Sequence, residues 1–457
     1  MENYRIEHDS MGEIKVPAEH FWGAQTQRSF ENFPIGTEKM PEEIIRAFAF
    51  LKKACARANY NLKPLKMTEE KLSGIEKACD DILKGDLPEE FPLSVWQTGS
   101  GTQTNMNVNE VIANYGNHLL GDKKLHPNDD VNMSQSSNDT FPSAMHIAAA
   151  AAIHSRLIPA VQVLQKTFLR LEEENRGVIT SGRTHLQDAV PIAFSQEISG
   201  WRGMLETSVK HLQEALDALY DIAIGATAVG TGLNAPKGFA DTCAEELSAL
   251  TGLPFRSSAN KFHALTSLDK LVYAHGAVKG LAADMMKIAN DIRWLSSGPR
   301  NGLGEIFIPE NEPGSSIMPG KVNPTQCESM TMVAVQVMGN DTAIGLSASQ
   351  GNFQLNVFLP VTAYNFLQSV RLLSDGILSF EKRCVSGIKA NTERMKENLN
   401  RSLMLVTALS PEIGYERAAE VAKTAYKAGL TLKEAGVKLG YITEETYDKL
   451  VRPEEMV

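Results

Sequence analysis

Leu157-Ile158-Pro159-Ala160-Val161-Gln162-Val163-Leu164-Gln165-Lys166-Thr167-Phe168-Leu169-Arg170-Leu171 is the stretch from which the fold can be read. Leu157, Val161, Leu164, Phe168 and Leu171 recur at alternating steps of four and three, so a single helix face gathers them all. The same spacing returns in Trp201, Leu205, Val209, Leu212, Leu216 and Leu219. It appears again in Leu271, Val278, Leu281, Met285, Ile288, Ile292 and Leu295. Residues 326–347 and 361–386 are further candidates. Helices of about 25–30 residues reach ~40–45 Å at 1.5 Å per residue, well beyond the usual three turns. Such helices joined by short connections predict a mainly α chain built on an elongated central helical bundle. Either the bundle stands alone as a monomer, or its helices also pair with those of other copies, since a long rod exposes more side face than one chain can cover.

Residues 139–391 hold this bundle. Residues 1–138, with Pro34, Pro41, Pro64, Pro88, Pro92, Pro127 and two long polar tracts, read as a mostly helical N-terminal domain whose loops carry function. Residues 392–457 read as a small C-terminal helical domain, with a helix over 415–428 and a capping box formed by Thr431 and Glu434. No alternating strand and helix succession, internal repeat or low-complexity linker is present. A length of 457 residues accommodates about three such domains.

Hydrophobic residues at 43% and charged residues at 22% are the proportions of an ordinary globular protein, which excludes disorder and collagen. Lys and Arg number 45 against 55 Asp and Glu, a formal charge of −10, which argues against nucleic acid and anionic membranes as partners. An anionic substrate would need local cations, amides and helix ends, because the global field opposes it. Cys55, Cys79, Cys243, Cys327 and Cys384 are widely spaced with no CxxC, so a disulfide framework and a zinc ribbon are both unsupported. The N-terminal residues lack a basic-then-apolar pattern, and the apolar run Ala148 to Ile153 is closed by His154-Ser155-Arg156, too short to span a bilayer. A cytoplasmic address is expected.

The chemistry concentrates in Gly314-Ser315-Ser316-Ile317-Met318-Pro319-Gly320-Lys321-Val322-Asn323-Pro324. It is no phosphate loop: the interval from Gly314 to Gly320 is one residue too long, and Val322 follows the lysine where Ser or Thr is required. Its glycines instead let successive main-chain N–H groups converge on one point, a nest able to stabilise an oxyanion. A serine hydroxyl held there could act as an alkoxide base, with Lys321 as the cation and Asn323 as a hydrogen-bond donor for a carboxylate. Glu328 falls in the first turn of the following helix. His185, in Ser181-Gly182-Arg183-Thr184-His185-Leu186-Gln187-Asp188, would become a proton carrier if Glu328 touched and oriented it. The hydroxyl- and amide-rich tracts Thr98-Gly99-Ser100-Gly101-Thr102-Gln103 and Ser136-Ser137-Asn138-Asp139 match the donors a carboxylate accepts, or serve as caps and turns. His126-Pro127-Asn128-Asp129-Asp130 lacks metal-ligand spacing.

Assembled, these motifs resemble the class II fumarases, of the superfamily that includes aspartase, argininosuccinate lyase, adenylosuccinate lyase and the delta crystallins. GSSIMPGKVNP is that superfamily's signature, and WQTGSGTQ, HPNDDVN, SQSSND and GRTHLQDA follow the family's order over nearly the whole chain. The resemblance implies reversible anti addition of water to fumarate, giving (S)-malate, in the tricarboxylic acid cycle. It implies Ser315 as the base at C3, His185 as the group serving the C2 hydroxyl or water, and Glu328 as its charge partner. Ser100, Gly101, Thr102, Ser136, Ser137, Asn138, Thr184, Ser316, Lys321, Val322 and Asn323 would bind substrate. Lys123, His126, Pro127, Asn128 and Asp129 would form a second anion site, in a shortened loop. No cofactor or metal is implied. A homotetramer is, with a twenty-helix core and composite active sites built from several chains. An aspartate ammonia-lyase shares the fold and the serine base but resembles GSSIMPAKVNP, where this chain has Gly320. A non-catalytic structural member is the other alternative, against which the complete set Ser315, His185, Lys321 and Glu328 argues.

Overall fold

The computed structural model describes residues 3–457. Each expected long helix is present: Phe194–Leu219, Asp269–Leu295, Thr325–Ala348 and Leu359–Arg383, and Ser137–Ala152, which continues through a wider turn at Ile153–Leu157 into Ile158–Glu174. The wider turn has a local cause. Pro159 lacks the N–H that would bond back into the preceding turn, and its ring crowds the Ser155 carbonyl, so the helix loosens there without ending. Every seam residue read from the sequence is buried, from Leu157, Val161, Leu164, Phe168 and Leu171 to Ile288, Ile292 and Leu295.

Compactness divides the chain into two units. The first comprises Met1–Pro159, Ser208–Ala282 and Val335–Ser374. At its centre Glu42–Leu62 packs against Glu69–Lys84, Ser137–Ala152 and Phe239–Thr251, and the rings of Phe48 and Phe141 meet edge to face at 5.9 Å. Thr102–Leu120 completes this core. The second comprises Ala160–Thr207, Ala283–Ala334 and Asp375–Val457. There Trp201 packs against Phe168 and Phe194 and donates its indole N–H to Asp291 at 3.0 Å. Its C-terminal part gathers Leu399, Leu405, Val421, Ala425, Leu432 and Ala435 into a cluster of their own. The helix Tyr415–Ala428 has the expected bounds, and Thr431 and Glu434 form the expected capping box.

The structure corrects the sequence reading in two places. Tyr4–Asp9 and Gly12–Pro17 form an antiparallel hairpin where only helices and loops were expected, and Ile179–Thr184 pairs with Gln187–Ala193 in another. The apolar run Ala148 to Ile153 ends at His154, but the helix that carries it does not. The continuous helix Ser137–Glu174 is long and apolar enough by composition to cross a membrane, and 56% of its most apolar window is buried inside the protein, where the seam accounts for that composition.

Candidate active site

In the second unit, Gly314 to Pro324 forms a closed loop leading into Thr325–Ala348. Gly314 N–H donates to Lys321 O at 2.7 Å, Asn323 Nδ2 donates to Gly314 O at 2.7 Å, and Lys321 Nζ donates to Asn323 Oδ1 at 2.7 Å. This neck turns the chain so that Ser315 Oγ accepts the main-chain N–H groups of Ile317 and Met318 at 3.3 and 3.0 Å. The expected nest therefore exists, centred on Ser315. Two N–H dipoles aimed at one hydroxyl oxygen favour the charge it gains on losing its proton. Ser315 is half-buried, whereas Ser316, Lys321 and Val322 are exposed.

His185 sits at the tip of the hairpin Ile179–Ala193. Thr184 pairs with Gln187, leaving His185 and Leu186 as a two-residue turn with φ of 56° and 59°, the left-handed geometry that matches strand twist in tight hairpins. Gly182 lies where the register shifts, and a Cβ there would stand 2.8 Å from Val190 O. Arg183 anchors the hairpin by a two-pronged ion pair with Glu305, which is fully buried. Thr184 and His185 are therefore exposed on a rigid support. Glu328 occupies the first turn of its helix as expected and is exposed too. Within one chain, His185 and Glu328 make no ion pair with each other among the described residues.

In the first unit, both polar tracts begin helices. Gly101, with φ of 71°, is the cap of Thr102–Leu120, and a Cβ on it would strike the Phe141 ring at 2.1 Å. Ser100 and Thr102 share a hydroxyl hydrogen bond of 2.9 Å. Ser136 caps Ser137–Ala152 in a capping box with Asp139. Asn105, which sequence reasoning missed, links the two helix starts: its Nδ2 donates to Ser137 Oγ at 2.9 Å, and Thr140 Oγ1 donates to its Oδ1 at 3.0 Å. Asn138 Nδ2 donates to Ala228 O at 2.8 Å. Two helix N-termini with hydroxyls and amides around them are a ready place for a carboxylate.

Beneath these donors lie buried charges. Asp139 accepts main-chain N–H groups from Ser136, Gly225 and Thr227, and burial pushes its carboxyl up to about 6 despite them. Lys52, also fully buried, donates to Asn132 Oδ1 and Gln135 Oε1, and burial brings it down to about 8.

A separate cavity of about 1190 Å³ in the same unit is lined by Lys123, His126, Pro127 and Asn128. Asp129 does not line it; its N–H instead donates to the His126 ring at 3.2 Å. Arg5, His8, His20 and Lys124 line the cavity as well, beside the acidic Glu7, Asp9, Glu110 and Asp122. The sequence held no signal for Arg5 and His8, because the hairpin that carries them was not foreseen.

The chain as a whole matches known proteins. A family model described as lyase matches residues 12–339, and one described as fumarase C C-terminus matches residues 405–457. The chain is 60% identical over 458 residues to the class II fumarate hydratase of Bacillus subtilis and 62% identical over 459 residues to that of Helicobacter pylori, covering 99% of both chains in each pairing. Among solved structures it is similar to the class II fumarase of Schistosoma mansoni, with a TM-score of 0.96, 41% identity and 99% of each chain covered. Brucella melitensis fumarate lyase:delta crystallin aligns with a TM-score of 0.95, 41% identity and 99% of each chain covered. On its loops, its helices and its full-length likeness to these proteins, the chain belongs to the class II fumarate hydratase family.

Proposed function

We propose that this chain interconverts fumarate and (S)-malate through the residues described above. In the malate-to-fumarate direction the Ser315 alkoxide takes the C3 proton. The electron pair left on carbon spreads into the C4 carboxylate, so donors around that carboxylate act on charge present mainly after proton loss. Protonated His185 gives its proton to the C2 hydroxyl, which leaves as water from the opposite face, and hydration reverses these steps. Glu328 serves as the charge partner of His185. Ser100, Thr102, Ser136, Ser137, Asn138, Thr184, Ser316, Lys321 and Asn323 hold the two carboxylates, with main-chain groups of Gly101 and Val322 beside them. Lys123, His126, Pro127 and Asn128 serve a second anion site, with Asp129 beside it bonded to the His126 ring. The scheme needs no cofactor.

The observation that carries this reading is the pair of N–H groups on Ser315 Oγ. It is tested by following fumarate absorbance with malate and with aspartate as substrates. Malate alone should yield signal, and Ser315→Ala should abolish it. Signal from aspartate alone would make the chain an ammonia-lyase, and near-normal turnover by Ser315→Ala would remove the serine from its role.

The working form in this proposal is a homotetramer with composite sites. Support comes from Thr325–Ala348, which has two apolar seams. Cys327, Met330, Ala334, Val337 and Ile344 are buried within the chain. Met332, Val335 and Leu346 are 66%, 61% and 64% exposed, and with Glu328, Gly339 and Thr342 they repeat at steps of four and three, the spacing of a coiled-coil seam. Glu328 therefore faces whatever covers that seam, which is how another chain would receive it. A cytoplasmic address fits five cysteines that are free and buried.

A further inference from the structure

Asp139 directly follows the proposed donors Ser136, Ser137 and Asn138, yet the reaction scheme gives it no task. Its carboxylate is completely buried. Oδ1 accepts Ser136 N–H at 2.9 Å, and Oδ2 accepts Gly225 and Thr227 N–H at 3.0 and 2.8 Å. The first bond completes a helix cap. The other two reach a loop 86 and 88 residues away, and Asn138 Nδ2 to Ala228 O ties the same loop a second time. All three partners of Asp139 are donors. An amide or a protonated acid in its place would turn a donor toward a donor, so the position demands a carboxylate.

The loop it reaches is strained. Thr227 has a φ of 55°, a left-handed conformation that a β-branched residue avoids. Thr227 is only 4% exposed, and its hydroxyl finds no partner among the described residues. Such strain persists only where the surroundings impose it, and the bond from Thr227 N–H to Asp139 is the constraint at hand. Lys52, bonded to Asn132 and Gln135, fixes the chain entering Ser136 and contributes a neighbouring positive charge.

We infer that Asp139 is a positioning residue for substrate binding: it staples residues 225–228 to the turn bearing Ser136, Ser137 and Asn138, holds Thr227 left-handed, and so presents these donors to a substrate carboxylate in one geometry. The inference rests on the reading of those three residues as substrate donors. A helix cap alone would affect stability, whereas a positioning residue moves KM.

The test is steady-state kinetics on malate with the full-length enzyme and four variants: Ser137→Ala, Asp139→Asn, Thr227→Gly and the double variant Asp139→Asn/Thr227→Gly. Asp139→Asn should raise KM at least tenfold while kcat changes less than threefold. Glycine adopts a positive φ without strain, so in the Thr227→Gly background the loop no longer depends on the staple, and adding Asp139→Asn there should raise KM less than threefold. An equal rise in both backgrounds, or no rise in either, overturns the inference. If Asp139→Asn does not fold, Asp139→Glu, which keeps the acceptor but displaces it by one methylene, takes its place in the same cycle. Ser137→Ala separates the two readings: an unchanged KM removes the donor assignment itself, while a raised KM beside an unmoved Asp139→Asn removes only the positioning role.

Discussion

Gly314 shows how much of the site depends on one missing methyl group. A Cβ there would lie 2.6 Å from Lys321 O and 2.9 Å from Asn323 N, both main-chain atoms that cannot swing aside. The neck of the loop would have to open, and Ser315, the next residue, would move off the N–H groups of Ile317 and Met318. Small displacements at a reacting centre cost about 100-fold in rate, and Gly314→Ala should lower kcat on malate by about that factor. Its thermal midpoint should stay near the parent value, because the loop is exposed and buries little apolar surface. A kcat within threefold of the parent would mean that the neck does not set the position of Ser315. This part of the site was legible in the sequence, since glycines, paired hydroxyls and a lysine within eleven residues encode a local turn. Asp139 was not legible as a staple, because Gly225 and Thr227 become its neighbours only through the fold.

Among the elements, helices could be read and hairpins could not, for the same physical reason. Seams such as Trp201 to Leu219 repeat an apolar residue every turn and bury it, so periodicity announces them. The strands Tyr4–Asp9 and Ile179–Thr184 are six residues each and rich in polar residues, too short and too polar for an apolar alternation to announce them. Equally hidden was the polar cluster that joins three long helices. His275, on Asp269–Leu295, meets Asp341 through Nδ1 at 2.9 Å and Ser369 through Nε2 at 2.9 Å, and Asn340 Nδ2 donates to Ser369 Oγ at 3.0 Å. The order acid, imidazole, hydroxyl imitates a hydrolase triad. Ser369 is fully buried and its hydroxyl also bonds to Asn365 O at 2.8 Å, so the cluster joins helices and does not attack substrates. His275→Leu fills the space but takes one partner from Asp341 and one from Ser369, which keeps Asn340 and Asn365. Removing one member of a buried polar network costs about 2–4 kcal/mol. A guanidinium unfolding midpoint that does not fall would show that the cluster contributes no net stability.

For the whole molecule, the outer seam of Thr325–Ala348 would tie assembly to catalysis in the proposed tetramer. Glu328, Met332, Val335, Gly339, Thr342 and Leu346 share one exposed face, and at 100° per residue the exposed side chains of Met332, Val335 and Leu346 fall within about 60° of arc. A charge placed on that stripe tolerates water but not a packed helix interface. Val335→Glu should therefore keep its helical circular dichroism, sediment as a smaller species, and lose most of its turnover, because His185 no longer receives the Glu328 of another chain. Unchanged sedimentation would show that nothing covers this seam. A mixing experiment separates loss of assembly from simple damage. Ser315→Ala and His185→Asn should each be inactive or strongly impaired alone. If one site takes its serine and its histidine from different chains, co-expression should rebuild about one quarter of the sites by random association in a symmetric oligomer. Activity well above that of either variant alone is the expected result. No gain on mixing, with mixed oligomers demonstrated by differential tags, would place Ser315 and His185 of a site on the same chain and remove the composite-site proposal.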